Sequence, residues 1–299
     1  MEKIKIKGLI AAIVTPMDNN CNINLSVIDS YAKHLIGDGV KGVFVCGTSG
    51  ESLLLDTNER KKIAEAWMPY SKDLKIIVHV GSTSYVTAQE LARHAEQIGA
   101  YAIGAMGPCF MQPDRVQELV GFNKLIAAEA PSTPYYYYHI PGVSGVNVNM
   151  LDFLKAASKE IPNFNGIKFT SYNSMEMQDC INYENKKYDV LHGFDETILT
   201  GLMLGATGAI GTSYNIAAPL FYRLVNKFYE GDIAGAVDLQ TEAIRFIHVM
   251  AGYGKVISGI KAMMAIKGID CGPCRLPVPN LSVDEMKDLE KKMKEFDWL

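Results

Sequence analysis

The 299-residue sequence has no block of like charges and no long uninterrupted hydrophobic run. Its formal net charge is only -4 and the charges are dispersed, so nothing indicates a nucleic-acid partner or an anionic membrane. The apolar stretch 9–14 is too short for the hydrophobic region of a signal peptide. Residues 197–222 carry no charge, but four glycines, Pro219 and a polar cluster interrupt them, which argues against a membrane span. We therefore expect a cytoplasmic protein without a membrane partner.

Cysteine is also sparse, and its six residues are scattered along the chain. Without a secretory signal, they are expected to be reduced thiols. Cys271 and Cys274 have the spacing of a redox or zinc pair, but no helix follows them and no second pair completes a zinc site. No cluster of His, Asp and Glu has metal-ligand spacing either, so we predict no metal site.

No linker or low-complexity segment marks a domain boundary, and the length fits one α/β barrel as well as two domains. Short apolar runs instead alternate with amphipathic segments of helical length. The eight runs are 8–15, 42–47, 75–81, 101–108, 134–141, 165–171, 188–193 and 206–213. Helical patterns include 25–36, 57–70, 87–98 and 114–130, the last opened by Pro113-Asp114.

Eight strand–helix units predict a closed parallel (β/α)8 TIM barrel as the catalytic domain, over residues 1–229. The remaining residues, 230–299, predict a C-terminal helical extension packed on the barrel, with helices near 233–250, 255–267 and from Val283. The alternative is a doubly wound open sheet. In that fold a phosphate-binding, glycine-rich turn typically follows the first strand, and this chain has Thr15-Pro16-Met17-Asp18 there.

Polar residues follow five of the eight apolar runs, at the end where the active site of such a barrel lies. They are Gly47-Thr48-Ser49-Gly50-Glu51 after the second run, Tyr138-His139-Ile140-Pro141 at the fifth, Lys168 and Thr170 at the sixth, Gly193-Phe194-Asp195-Glu196 at the seventh, and Gly211-Thr212-Ser213 at the eighth. Any one of these segments could be an ordinary loop. Their convergence on one rim predicts a site.

Lys168 is the most informative of these residues, because no other charged residue occurs between Ile161 and Met175. Burial in a strand disfavours the ammonium form, and a neutral amine can attack a carbonyl to form a Schiff base. The local sequence also allows Lys168 to extend from the strand end to solvent. Strand alternation places Tyr136 and Tyr138 on one face, so Tyr138 can face Lys168 and act as a proton shuttle.

The other candidates also have structural interpretations. Tyr138 belongs to a four-tyrosine run and could pack simply as a strand aromatic. Thr48 and Ser49 could cap a helix, or their hydroxyl and backbone N–H groups could bind a small carboxylate. Asp195 and Glu196 suit the first turn of a helix, which does not prevent them from also binding a ligand.

The whole chain resembles a known family through Gly47-Thr48-Ser49-Gly50-Glu51, Tyr138-x-Ile140-Pro141, Gly166-Ile167-Lys168 and Gly208-Ala209-Ile210-Gly211. The family is that of the class I, Schiff-base pyruvate aldolases, which includes N-acetylneuraminate lyases and dihydrodipicolinate synthases. The resemblance implies that Lys168 forms the Schiff base and Tyr138 transfers protons. It implies that the keto-acid carboxylate is bound by Thr48 and Ser49, and that the sugar chain contacts Thr170, Gly193, Asp195, Glu196, Gly211 and Thr212.

Two positions favour the N-acetylneuraminate lyases within this family. Dihydrodipicolinate synthases carry an arginine two residues after the Tyr-x-x-Pro proline, and here that residue is Val143. The Asp-Glu pair of the sialate lyases is present as Asp195-Glu196. There are departures: Phe110 lies where family members often carry a tyrosine, Phe44 where some do, and Thr212 replaces the usual serine.

We therefore predict cleavage of N-acetylneuraminate (sialic acid) to N-acetylmannosamine and pyruvate, with no metal or organic cofactor, and the resemblance implies a homotetramer. A first alternative is another aldolase or synthase of the family, acting on a different 2-keto-3-deoxy sugar acid or aldehyde. A second is a keto-acid- or sugar-binding barrel without turnover. A third is a metal- or phosphate-dependent barrel enzyme, although the seventh and eighth runs end without a clear phosphate cradle.

Overall fold

Eight parallel strands close into a barrel in chain order in the computed structural model, which describes residues 3–299. The first two residues of the predicted catalytic domain thus lie outside the described residues. The strands are β1 Gly8–Ala12, β2 Gly42–Val45, β3 Lys75–His79, β4 Ala102–Met106, β5 Tyr135–His139, β6 Phe164–Phe169, β7 Asp189–His192 and β8 Gly208–Gly211. Pairing of β1 with both β2 and β8 completes the closure. The predicted barrel is confirmed. Seven strands lie inside the predicted apolar runs, and β6 begins one residue before its run, at Phe164.

Helices follow the strands and cover the outside of the barrel. They are α1 Ile28–Gly37, α2 Thr57–Trp67, α3 Tyr85–Gln97, α4 Val116–Ala127, α5 Pro141–Ser144, α6 Met150–Glu160, α7 Ser174–Asn182, α8 Ile198–Leu204 and α9 Ala218–Tyr229. The predicted start of α4 at Pro113-Asp114 is wrong by two to three residues. Glu118 folds back to accept hydrogen bonds from the backbone N–H groups of Asp114 and Arg115, so the helix begins at Val116.

Three further helices, α10 Ile233–Ala251, α11 Val256–Ile266 and α12 Val283–Met293, form the C-terminal extension at the predicted positions. No single helix within residues 3–299 is long and apolar enough to cross a membrane. Only α10 and α11 taken together have the necessary length and composition, and they are bent by 99° at their junction.

Side-chain alternation along the strands divides the core into two parts. Tyr136 and Tyr138 point into the barrel interior, whereas Tyr135 and Tyr137 pack between the strands and the surrounding helices. This arrangement confirms the alternation predicted for the four-tyrosine run. It places the Tyr138 ring in the interior, directly beside the neighbouring strand β6.

A buried polar network closes the amino-terminal end of the barrel. Asp189 Oδ2 accepts hydrogen bonds from the Ile6 N–H (2.9 Å) and from the Tyr136 hydroxyl (2.8 Å). Asn165 Nδ2 donates to the same hydroxyl at 2.7 Å. Burial raises the pKa of Asp189 to about 6, against the hydrogen bonds that favour the carboxylate. These hydrogen-bonded side chains fill the amino-terminal end of the barrel, so a cavity in the barrel interior can form only at the carboxyl end.

Candidate active site

All ten residues predicted from the sequence line one cavity of about 240 Å³ at the carboxyl end of the barrel. The wall opposite the strands is apolar and comes from the C-terminal extension, with Ile247, Met250, Val256 and Ile257. A larger cavity of about 400 Å³ lies near α8 and α9, is lined mainly by apolar side chains and includes neither Lys168 nor Tyr138. We take the smaller cavity as the candidate site because titratable and polar groups converge there.

Lys168 is buried in the barrel interior, at the fifth position of β6. Only 4% of the residue is exposed, so the alternative in which it extends to solvent is wrong. Strand register places it directly beside Tyr138, and its Nζ lies 3.7 Å from the centre of the Tyr138 ring and 4.8 Å from that of Phe44. Two aromatic faces therefore surround the amine at the base of the cavity.

The hydroxyl groups of the β2–α2 loop point across the cavity. Thr48 Oγ1 lies 3.3 Å from the Tyr138 hydroxyl, and Ser49 Oγ lies 2.6 Å from Thr212 Oγ1. The helix-cap interpretation of Thr48 and Ser49 is wrong, because Asp56 caps α2 through its own side chain. The loop instead supplies hydroxyl groups next to the Tyr138 hydroxyl.

Asp195 and Glu196 lie in a short turn between β7 and α8 and make separate contacts. Asp195 Oδ2 accepts a hydrogen bond from the Ser213 N–H at 2.6 Å, which links the loops after β7 and β8. Glu196 Oε1 accepts from the Tyr172 hydroxyl at 2.7 Å, and this bond raises the pKa of Tyr172 to about 12.

Burial is the main reason why the pKa of Asp195 rises to about 6. The negative charge of Glu196 acts in the same direction. The hydrogen bonds from Ser213 and the charge of Lys168 oppose the rise. Asp195 therefore titrates in a range where an enzyme can be assayed.

Two of the predicted glycines let polar side chains approach the backbone closely. A Cβ added to Gly211 would lie 2.0 Å from Asp195 Oδ1, and one added to Gly193 would lie 2.0 Å from Thr170 Oγ1. No side chain fits at either position without displacing its neighbour. The two glycines thus contribute to the site by leaving space.

Two residues that sequence reasoning did not select also contribute to the site. His79, on β3, packs against the rings of Phe44 (5.7 Å between centres) and Tyr138 (5.9 Å). Its Nδ1 lies 3.0 Å from the Cys46 carbonyl oxygen, and burial together with the charge of Arg60 holds its pKa well below the usual range. We infer that His79 is neutral and supports the aromatic pair.

Gln240, on α10, is the second of these residues. Its Nε2 donates to the Asp195 carbonyl oxygen at 3.4 Å, and its Oε1 accepts from the Leu199 N–H at 3.1 Å. No local pattern predicts this contact, because it joins residues more than forty positions apart.

The remaining candidates lie away from the cavity. Phe110 is 78% exposed and does not line it, so that segment supplies no tyrosine hydroxyl to the cavity. Cys271 and Cys274 are buried, and burial raises their thiol pKa values to about 12 and about 11. No group of three or more His, Cys, Asp or Glu side chains among residues 3–299 is arranged to hold a metal ion.

Comparison with known proteins identifies the family of this chain. Residues 5–296 match the model of the dihydrodipicolinate synthetase family. The chain belongs to this family. The human N-acetylneuraminate lyase is 38% identical over 302 aligned residues, which cover 99% of this chain and 94% of that protein.

Two solved structures superpose closely on this barrel. The N-acetylneuraminate lyase of Proteus mirabilis is 43% identical, with a TM-score of 0.96 over 99% of this chain and 100% of the other. The sialic acid aldolase of Aliivibrio salmonicida is also 43% identical, with a TM-score of 0.96 over 100% of this chain and 99% of the other. The family resemblance inferred from the sequence motifs is therefore confirmed.

Proposed function

We propose that this family member is an N-acetylneuraminate lyase, a carbon–carbon lyase that cleaves sialic acid to N-acetylmannosamine and pyruvate. The observation that carries the proposal is a buried lysine amine against the face of a tyrosine whose hydroxyl lies 3.3 Å from Thr48 Oγ1. An amine that can act as a nucleophile and a hydroxyl that can transfer protons, side by side in one cavity, support this proposal. Full-length similarity to several lyases of this name supports the choice of substrate.

Lys168 begins the reaction as the nucleophile. Its amine adds to the C2 ketone of the open-chain sugar acid, and the Tyr138 hydroxyl gives its proton to the departing oxygen. Loss of water then leaves an iminium ion and a deprotonated Tyr138 oxygen. The Tyr138 oxygen takes the proton of the C4 hydroxyl, aided by the substrate carboxylate. The C3–C4 bond then breaks, and its electron pair flows into the iminium to leave an enamine. N-acetylmannosamine departs, Tyr138 helps to return a proton to C3, and hydrolysis releases pyruvate and the free amine.

The substrate carboxylate binds, in this proposal, at Thr48 and Ser49. Hydroxyl and backbone N–H groups on a tight loop can hold a small anion without a positively charged side chain. The sugar chain binds on the opposite side, at Thr170, Gly193, Asp195, Glu196, Gly211 and Thr212. Carboxylates suit this role because they accept hydrogen bonds from a polyhydroxyl chain.

Val143 argues against a dicarboxylic product. It lies in α5, is 58% exposed and carries no charge, so it cannot bind a second carboxylate. An aldolase that uses a different sugar acid or aldehyde remains the alternative within the family. A binding protein without turnover is the alternative outside it, and the contact between Lys168 and Tyr138 favours chemistry over binding alone.

Intact mass after incubation with N-acetylneuraminate and borohydride tests the proposal. We expect an adduct of pyruvate size in the native chain, because an adduct of that size forms from the sugar acid only if the C3–C4 bond breaks before reduction. Lys168→Ala should lose both the adduct and turnover while remaining folded. Lys33→Ala, which removes a surface lysine paired with Asp29, should keep both.

Each other outcome points to a different function. An adduct with pyruvate but none with the sugar would move the search to other aldehydes. No adduct with either compound would favour the binding-protein alternative. Cleavage by a folded Lys168→Ala variant would exclude the Schiff-base mechanism.

We propose further that residues 230–299 serve the barrel of residues 1–229 as an extension rather than as an independent domain. The support is that α10 and α11 supply one wall of the candidate site.

A cytoplasmic homotetramer is the corresponding proposal for the assembly. It is supported by the family resemblance, by six free thiols and by the exposed apolar side chains of Phe110 and Met111, and light scattering would test the number of subunits.

A further inference from the structure

A buried ion pair joins the C-terminal extension to the loop that carries Thr48 and Ser49. Lys261 Nζ, on α11, donates to Glu51 Oε1 at 2.7 Å, and the two side chains are only 3% and 0% exposed. Lys261 also donates to the Pro273 carbonyl oxygen at 2.8 Å. The second oxygen of Glu51 accepts from the Arg275 N–H at 2.7 Å. Both oxygens of Glu51 are thus held by residues of the extension.

Glu51 has a backbone conformation that needs such support. Its φ of 58° and ψ of 31° place it in the left-handed region, which is unfavourable for a residue with a side chain. The turn that it ends is tight. The Glu51 N–H donates to the Thr48 carbonyl oxygen at 3.1 Å, and the Ser52 N–H donates to the Gly47 carbonyl oxygen at 3.3 Å. A change in the backbone conformation of Glu51 would therefore also displace Thr48.

Thr48 and Ser49 must be oriented accurately for the function proposed above. Their hydroxyl groups contact Tyr138 and Thr212, which lie on β5 and after β8. The loop lies at the edge of the cavity, where the Thr15 hydroxyl also donates to the Gly50 carbonyl oxygen at 2.7 Å. A fixed anchor on the far side of the loop would set the direction of its hydroxyl and N–H groups before the substrate arrives.

We propose that Lys261 is a positioning residue, which acts through Glu51 to hold the β2–α2 loop in the geometry that binds the keto-acid carboxylate. This inference rests on the proposed function, because it assigns a role within that same site. Lys261 does not line the candidate cavity. Its effect should therefore fall on carboxylate binding more than on bond cleavage.

Lys261→Met tests the role by removing the charge while keeping an unbranched side chain. We expect the pyruvate concentration that gives half-maximal borohydride trapping to rise about tenfold, as it would if displacement of the loop costs one hydrogen bond from Thr48 or Ser49 to the carboxylate. The KM for N-acetylneuraminate should rise similarly, and kcat should fall by less than about threefold, the pattern of lost uniform binding. Ser258→Ala is the matched control, since it removes a buried hydrogen bond from α11 to Pro279 without touching the loop.

An unchanged half-saturating pyruvate concentration in folded Lys261→Met would overturn the inference and leave the ion pair a purely structural role. The same shift in Ser258→Ala would also overturn it, because a general loosening of α11 would then suffice. If Lys261→Met does not fold, Glu51→Gln decides, since it keeps the shape of Glu51 and removes its charge. We expect a severalfold weaker response to pyruvate in that variant, and an unchanged response would again overturn the inference.

Failure of the proposed function would look different. If the native chain formed no adduct with pyruvate, the Schiff-base function would fail and this inference with it. If the native chain formed the adduct and the two variants matched its concentration dependence, only the inference would fail. Thermal unfolding curves show whether each variant is folded, and Ser258→Ala shows whether loosening α11 is enough to weaken the response to pyruvate.

Discussion

Asp195 should make sugar binding depend on pH in the range from 5 to 7. Its carboxyl is buried beside Gly211 and accepts a hydrogen bond from Ser213, and burial raises its pKa to about 6. Above this pH the group is a carboxylate, which can accept hydrogen bonds from sugar hydroxyls. Below it the group is neutral and binds them more weakly. The KM for N-acetylneuraminate should therefore rise as the pH falls.

The size of the effect follows from the pKa of Asp195. With a value of about 6, roughly nine-tenths of the molecules carry the carboxylate at pH 7 and roughly one-tenth at pH 5. If only the ionised form binds the sugar chain, KM rises about tenfold between these two pH values. Residual binding by the neutral acid would make the rise smaller, so tenfold is the upper limit.

Initial rates over a range of N-acetylneuraminate concentrations at pH 5, 6 and 7 measure this dependence. Asp195→Asn is the decisive comparison, because it has nearly the same shape and no charge at any pH. Its KM should already be high at pH 7 and should change much less between pH 7 and 5. Trapping with pyruvate alone should be less affected by the substitution, since pyruvate lacks the sugar chain.

The reasoning is refuted if Asp195→Asn shows the same ratio of KM values between pH 5 and 7 as the native chain. Another group would then cause the pH dependence. Equal losses of sugar and pyruvate binding in Asp195→Asn would count against its assignment to the sugar chain.

Three further predictions concern the proton shuttle, the barrel end and a glycine. Tyr138→Phe keeps the ring against Lys168 and removes the hydroxyl, so kcat should fall about 10²- to 10³-fold while pyruvate is still trapped; a loss below tenfold would contradict the role. Asp189 has a folded pKa of about 6, above its unfolded value, so its stability contribution is fully present below pH about 4 and is lost as the pH rises through 6. The full change approaches about 3 kcal/mol, of which about 1.4 kcal/mol falls between pH 5 and 8, so urea unfolding at these two pH values should show a smaller difference in Asp189→Asn than in the native chain. Gly211→Ala should displace Asp195, because the Asp195 Oδ1 would otherwise lie 2.0 Å from the new Cβ. The KM for the sugar acid should then rise at least about tenfold, with little effect on pyruvate trapping. An unchanged KM would show that Asp195 moves aside without loss of binding.

Much of the fold could be predicted because its signals are local. Seven of the eight strands lie within a predicted apolar run, and β6 begins one residue before its run. The four-tyrosine run alternates between the two faces as strand geometry requires. Lys168 stood out for the same reason, as a single charge inside a buried run. The errors were local as well. Glu118 delayed the start of α4 by bonding back to the preceding backbone, a choice that the spacing of apolar residues does not encode.

The sequence by itself thus determined the elements, their order and the strand ends at which polar residues occur. Only the tertiary structure decided whether Lys168 was buried or exposed, because the Phe44 and Tyr138 rings that surround its amine come from other strands. Only the tertiary structure likewise shows the ion pair between Lys261 and Glu51, which are 210 positions apart. It also shows the close approach of Asp195 to Gly211, which leaves no room for a Cβ there. Closing the barrel brings these residues together, and a contact between distant segments leaves no periodic trace in either of them.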